Sequence, residues 1–71
     1  MPYWDEKGIE GIEAIRGEVL YWWPTAVIPE TATTAKWEHS SFSDPGNDDW
    51  NKLHVYDASG IALIVFHQDG F

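Results

Sequence analysis

The chain reads as α+β: a small antiparallel β-sheet of about four or five strands with one short helix packed on one face. Three observations predict this. Apolar residues recur at 9, 12 and 15 and again at 19, 22 and 23, with Pro24 closing the run, which is helical spacing with a stop. Two later stretches, Thr31 to Phe42 and Lys52 to Tyr56, alternate between residue types as half-buried strands do. Finally, Ile61-Ala62-Leu63-Ile64-Val65-Phe66 is apolar on both faces, the pattern of a central strand.

Residues 1 to 8 form an arm without periodicity, whose Tyr3 and Trp4 are placed to dock on the sheet. Glycines at 8, 11 and 17 interrupt the next segment, each costing a helix about 1 kcal/mol. This suggests a short strand across Gly11 to Ile15 and a helix opening at Gly17 that carries Val19, Trp22 and Trp23. Thr25 to Glu30 is a connection with room for a brief extended piece at Ala26-Val27-Ile28. Ser43-Asp44-Pro45-Gly46-Asn47-Asp48-Asp49 is a loop dense in turn formers. In the Lys52 to Tyr56 strand, Leu53 and Val55 share one face, and His54 and Tyr56 the other. Asp57-Ala58-Ser59-Gly60 is a turn with glycine where a positive φ is wanted, and Gln68 to Phe71 returns to turn chemistry.

At 71 residues this is one domain, 1–71, near the lower size limit for folding without staples. There is no cysteine, so neither a disulfide nor a thiolate metal site is available. Five Trp, three Tyr and three Phe supply the core instead, each ring burying on the order of 150–250 Å² when enclosed. No apolar run approaches the roughly 20 residues that a bilayer requires, and Met1 to Lys7 lacks an apolar signal core. The expectation is a cytoplasmic protein.

Twelve Asp and Glu against four Lys and Arg give a formal charge of −8. The plain interpretation is solubility. The functional one is a surface addressed to a basic partner. Direct nucleic-acid binding is not expected, because phosphate contacts need Lys and Arg stripes. A protein whose own groove holds DNA is a natural client.

Catalysis has little to stand on. No serine sits in a strand-to-helix elbow, and His39, His54 and His67 fit no triad order. The same histidines with Asp69 lack paired zinc-ligand spacing. Asp44, Asn47, Asp48 and Asp49 lack the ligand order and closing Glu of a calcium loop. No enzyme, metal or cofactor is expected. What remains is the segment from Glu10 to Trp23, with Glu10, Glu13 and Glu18 rimming an apolar cluster. Carboxylates standing where phosphates would, around an apolar socket for a wedge side chain, are what a competitor of DNA needs.

The order of motifs resembles the phage-type uracil-DNA glycosylase inhibitors, a family with an acidic Glu-Ser-Ile strand motif, a following helix with a second acidic residue, and then an antiparallel sheet. Glu10-Gly11-Ile12 stands where Glu-Ser-Ile would, with Gly11 replacing the serine, and Glu18-Val19 falls at the helix carboxylate. His39-Ser40-Ser41-Phe42-Ser43-Asp44 is similar to the family's strand entering an acidic loop. Asp57-Ala58 matches its acidic turn, and Ala62-Leu63-Ile64-Val65 with Gln68-Asp69-Gly70 its last strand and turn.

The resemblance implies a stoichiometric DNA-mimicking inhibitor that occupies the DNA-binding cleft of uracil-DNA glycosylase as a monomer in a 1:1 complex, in the host cytoplasm if phage-encoded. Glu10 and Glu18 would mimic phosphates, with Ile12 and Glu13 beside them. Asp57 and the loop acids Asp44, Asp48 and Asp49 would extend the charged track. Val19, Trp22, Leu53, Val55 and Leu63 would form the socket for the enzyme's DNA-intercalating side chain. The other open readings are an acidic inhibitor or adaptor of another basic DNA-handling protein, such as a nuclease, restriction enzyme or CRISPR complex, and a small structural domain.

Overall fold

The computed structural model describes residues 3–40 and 50–69. In chain order it has β1 (Tyr3–Trp4), β2 (Ile9–Glu10), α1 (Ile12–Trp22), β3 (Thr34–His39), β4 (Trp50–Tyr56) and β5 (Ala62–Asp69). The five strands make one antiparallel sheet in the order β1-β3-β4-β5, and β2 pairs with β3 farther along the same side as β1. The α+β class and the single helix on one face are as the sequence predicts.

The helix runs straight through the point where a strand-to-helix break is expected. Gly11 supplies the break instead, so that the expected strand across Gly11 to Ile15 is helix from Ile12 on: Gly11 takes φ 91°, in the region open to glycine, directly before Ile12. From there Ile12, Ile15, Val19 and Trp22 form one stripe at three- and four-residue spacing, with Ile15 and Val19 fully buried. Burying such side chains is worth about 1.5–3 kcal/mol each, which outweighs the roughly 1 kcal/mol cost of Gly17 inside the helix. Gly17 is exposed, and a Cβ added there would meet nothing within 4 Å. Gly17→Ala is therefore expected to stabilise the protein by about 0.5–1 kcal/mol, read as a rise in the thermal midpoint. Pro24 ends the helix as anticipated, and the Trp23 N–H closes the last turn on the Val19 carbonyl at 2.7 Å.

The core lies between α1 and one sheet face, where Ile15 and Val19 meet Ala32, Ala35, Trp37, Leu53 and Val55. β4 reads as predicted, buried at Asn51, Leu53 and Val55 and half-buried between them. Beyond the helix, Trp23 also packs on this face, stacking on Trp37 at 5.8 Å and on Phe66 at 5.1 Å. Its indole N–H donates to the His67 carbonyl at 3.2 Å. Ala26 and Ile28 pack against the same core, but the segment between them forms no strand.

The N-terminal arm docks as expected, and it does so as a strand. Tyr3 pairs with His39 and Trp4 with Glu38. Side chains on both faces hold it: Asp5 lies 2.8 Å from His39 Nε2, and the Trp4 ring lies 4.7 Å from the His54 ring. At the β4–β5 turn Gly60 takes φ 82°. The Asp57 carboxylate accepts from the N–H groups of Ser59 and Ile61 at 2.8 and 3.0 Å.

One expectation about position fails. Ile61 to Phe66, read as central because it is apolar on both faces, leads into β5, which among the described residues occupies an end of the sheet beside β4. Its Val65 is 45% exposed, and the preceding Ile61 63%.

Candidate protein-binding surface

The residues expected to meet a partner fall into four environments. Val19, Leu53 and Val55 have no exposed surface, and Trp22 and Leu63 pack against them half-buried. This cluster is closed, filled by the protein's own side chains, and presents no open socket.

The two carboxylates do not flank it as a pair: Glu18 borders it through Trp22, and Glu10 does not. Glu10 is paired with Thr34 and exposed, so it sits on the sheet face away from the core residues Ala35 and Leu53. Glu18 lies on the side of α1, where it accepts from the Trp22 indole N–H at 3.1 Å. Ile12 is half-buried in the first helical turn. Asp57 is half-buried, with its carboxylate engaged by the turn. Asp44, Asp48 and Asp49 lie outside the described residues.

The surface that combines exposed apolar area with carboxylates is the outer side of α1. Glu13, Gly17 and then Leu20 and Tyr21 follow at three- and four-residue spacing, so they are neighbours on one helix face. Leu20 is 39% exposed and Tyr21 75%. Glu13 projects fully into solvent in the first turn and touches Arg16 at 3.3 Å, an exposed pair worth at most about 0.5 kcal/mol. Glu18 borders the patch beside Tyr21, whose ring meets the Trp22 ring edge-on at 4.7 Å. Lacking a side chain, Gly17 leaves the middle of the patch low.

Leu20 and Tyr21 are the candidates that sequence reasoning missed. The available signal was the helical stripe itself: once 12, 15, 19 and 22 face inward, 13, 17, 20 and 21 must face out.

The sheet face opposite α1 differs in character. By register it carries Lys36, Glu38, Lys52, His54, Tyr56, Val65 and His67. His54 Nε2 lies 3.0 Å from Glu38, and the Lys52 ammonium sits 4.8 Å from the Trp50 ring centre. His39 belongs to the other face, with its Nδ1 2.6 Å from the Asn51 side-chain oxygen. The three histidines are thus split between faces and do not converge. Among the described residues no group of three or more His, Asp or Glu is placed to hold a metal ion.

Comparison with protein-family models, with curated proteins and with solved structures finds no match to this chain. Among the described residues no helix is long and apolar enough to cross a membrane.

Proposed function

We propose that this protein is an acidic inhibitor that binds the DNA-binding cleft of a DNA-handling enzyme, uracil-DNA glycosylase first among them, by presenting carboxylates where phosphates would lie. The observation that carries this reading is the outer side of α1. An exposed aromatic and an exposed leucine stand there on the helix that also carries Glu13 and Glu18, on a chain of net charge −8. Exposed apolar area bordered by charge marks contact surfaces, and Tyr is among the residues that carry interface energy. Acidic surfaces also steer a protein toward a basic groove.

One observation favours a second target within the same class. The socket that suits a glycosylase's wedge side chain is closed, because Val19, Leu53 and Val55 are fully buried. A nuclease or another enzyme with a basic cleft and no wedge needs no such socket.

A titration of uracil excision separates the two. If the glycosylase is the target, activity falls linearly and ends at one chain per enzyme. Full excision at a molar excess of this protein rules the glycosylase out and leaves the basic-cleft reading to parallel titrations of nucleases.

A further inference from the structure

The outer side of α1 receives an arginine of its partner, we infer, with the guanidinium lying on the Tyr21 ring beside Gly17 and paired with Glu18. This deepens the proposed function and rests on its reading of that helix side as the contact surface.

The C-terminal end of α1 lacks a cation of its own. A helix ends in carbonyls that together carry about half a negative charge, which Lys or Arg in the last turn ordinarily offsets. Here the last turn contains no basic residue. Glu18, just before it, adds a full negative charge instead. One oxygen of its carboxylate accepts from the Trp22 indole N–H at 3.1 Å, which sets the group's position. A carboxylate accepts at both oxygens, so capacity for a further donor remains. Arg16, the one basic residue of α1, lies toward the other end of the helix, 3.3 Å from Glu13. A partner's cation completes the arrangement, and a chain of net charge −8 attracts it.

Shape selects arginine over lysine. Helical side chains lean toward the N-terminus, over the residues three and four positions back, which for Tyr21 are Glu18 and Gly17. A Cβ added at Gly17 would meet nothing within 4 Å, so the space beside the ring is an open notch bordered by a carboxylate. The ring is 75% exposed, and its orientation is set by Trp22, which it meets edge-on with planes at 85°. A guanidinium is flat enough to stack on an aromatic face while its N–H groups donate in plane to a carboxylate. An ammonium is a compact, strongly hydrated point charge without that geometry. Exposed Leu20, next to the notch, offers apolar surface to the methylenes of the arginine stem.

NMR titration of the intact chain with hexa-arginine and, separately, hexa-lysine tests this without any enzyme. Hexa-arginine is expected to bind about three- to fivefold more tightly, the worth of one exposed cation–π contact, and to shift the Tyr21 ring and the amides of residues 17–21. Gly17→Leu fills the notch with a good helix former, and Tyr21→Leu removes the ring. Each is expected to abolish the preference while both peptides still bind by charge. Both positions are exposed, so both variants should keep the circular-dichroism spectrum of the wild type. Tyr21→Leu decides alone if Gly17→Leu perturbs the helix. Equal affinity for the two peptides, shifts confined to other parts of the chain, or an arginine preference that survives Tyr21→Leu would overturn the inference. An arginine preference that holds while uracil excision continues at a molar excess of this protein counts against the glycosylase as target and supports this site.

Discussion

Leu53→Ala is expected to destabilise the protein by about 2–5 kcal/mol, the range for emptying a buried leucine site. Leu53 has no exposed surface and stands mid-sheet, between Trp37 on β3 and Phe66 on β5, under the helix. Its neighbours cannot easily collapse into the void, since Trp23 stacks across both of those rings. A domain of this size holds only about 0.05–0.15 kcal/mol of stability per residue. The loss is therefore a large share of the total. At roughly 4–8 °C per kcal/mol the thermal midpoint drops by about 8 °C or more. Thermal unfolding followed by tryptophan fluorescence measures it. Leu20→Ala, on the exposed side of α1, serves as the control and should shift stability by no more than about 0.5 kcal/mol. A Leu53→Ala midpoint as close to wild type as that control's would show that the core is not where the structure places it.

Tyr21→Ala is expected to weaken the proposed complex with a DNA-handling enzyme by about 2 kcal/mol or more, some thirtyfold in Kd, as loss of an aromatic anchor does. At 75% exposure the side chain contributes little to folding, so the free protein should melt as before. The effect should appear in the dissociation rate. Glu13→Ala with Glu18→Ala should act instead on the association rate, and less so as salt rises, because steering charges are screened. Binding kinetics at two ionic strengths distinguish them. A Tyr21→Ala complex as tight as wild type would remove the outer side of α1 from the interface.

How far the sequence led depended on which physical signal each element carried. The faces of β4 were legible residue by residue, because alternation fixes a strand's two sides once one is buried. The Asp57 to Gly60 turn was legible because its φ requirement names its residue. The helix boundary was misjudged at Gly17 because propensity was weighed locally, while the stripe of 12, 15, 19 and 22 gains its energy from tertiary burial. The place of β5 was not legible for a different reason. Composition reports how much of a strand is to be covered but not by what. The candidate site suffered from the same ambiguity. Val19, Leu53 and Val55 have the apolar character of a socket and of a core alike, and only the packing decides between them. The acidic character was plain from the start. Its division, with Glu13 on the helix and Glu10 on the far face of the sheet, needed the register of β2 with β3.

Mutual exclusion between this protein and DNA on the target enzyme tests the account most directly. Labelled uracil-containing DNA is bound to a catalytically inactive glycosylase and titrated with the chain, and the apparent Kd for DNA is followed. Mimicry predicts that it rises in proportion to the chain's concentration without limit, with no species holding both ligands. A ternary complex, or an apparent Kd that levels off at a plateau, would contradict occupation of the DNA cleft.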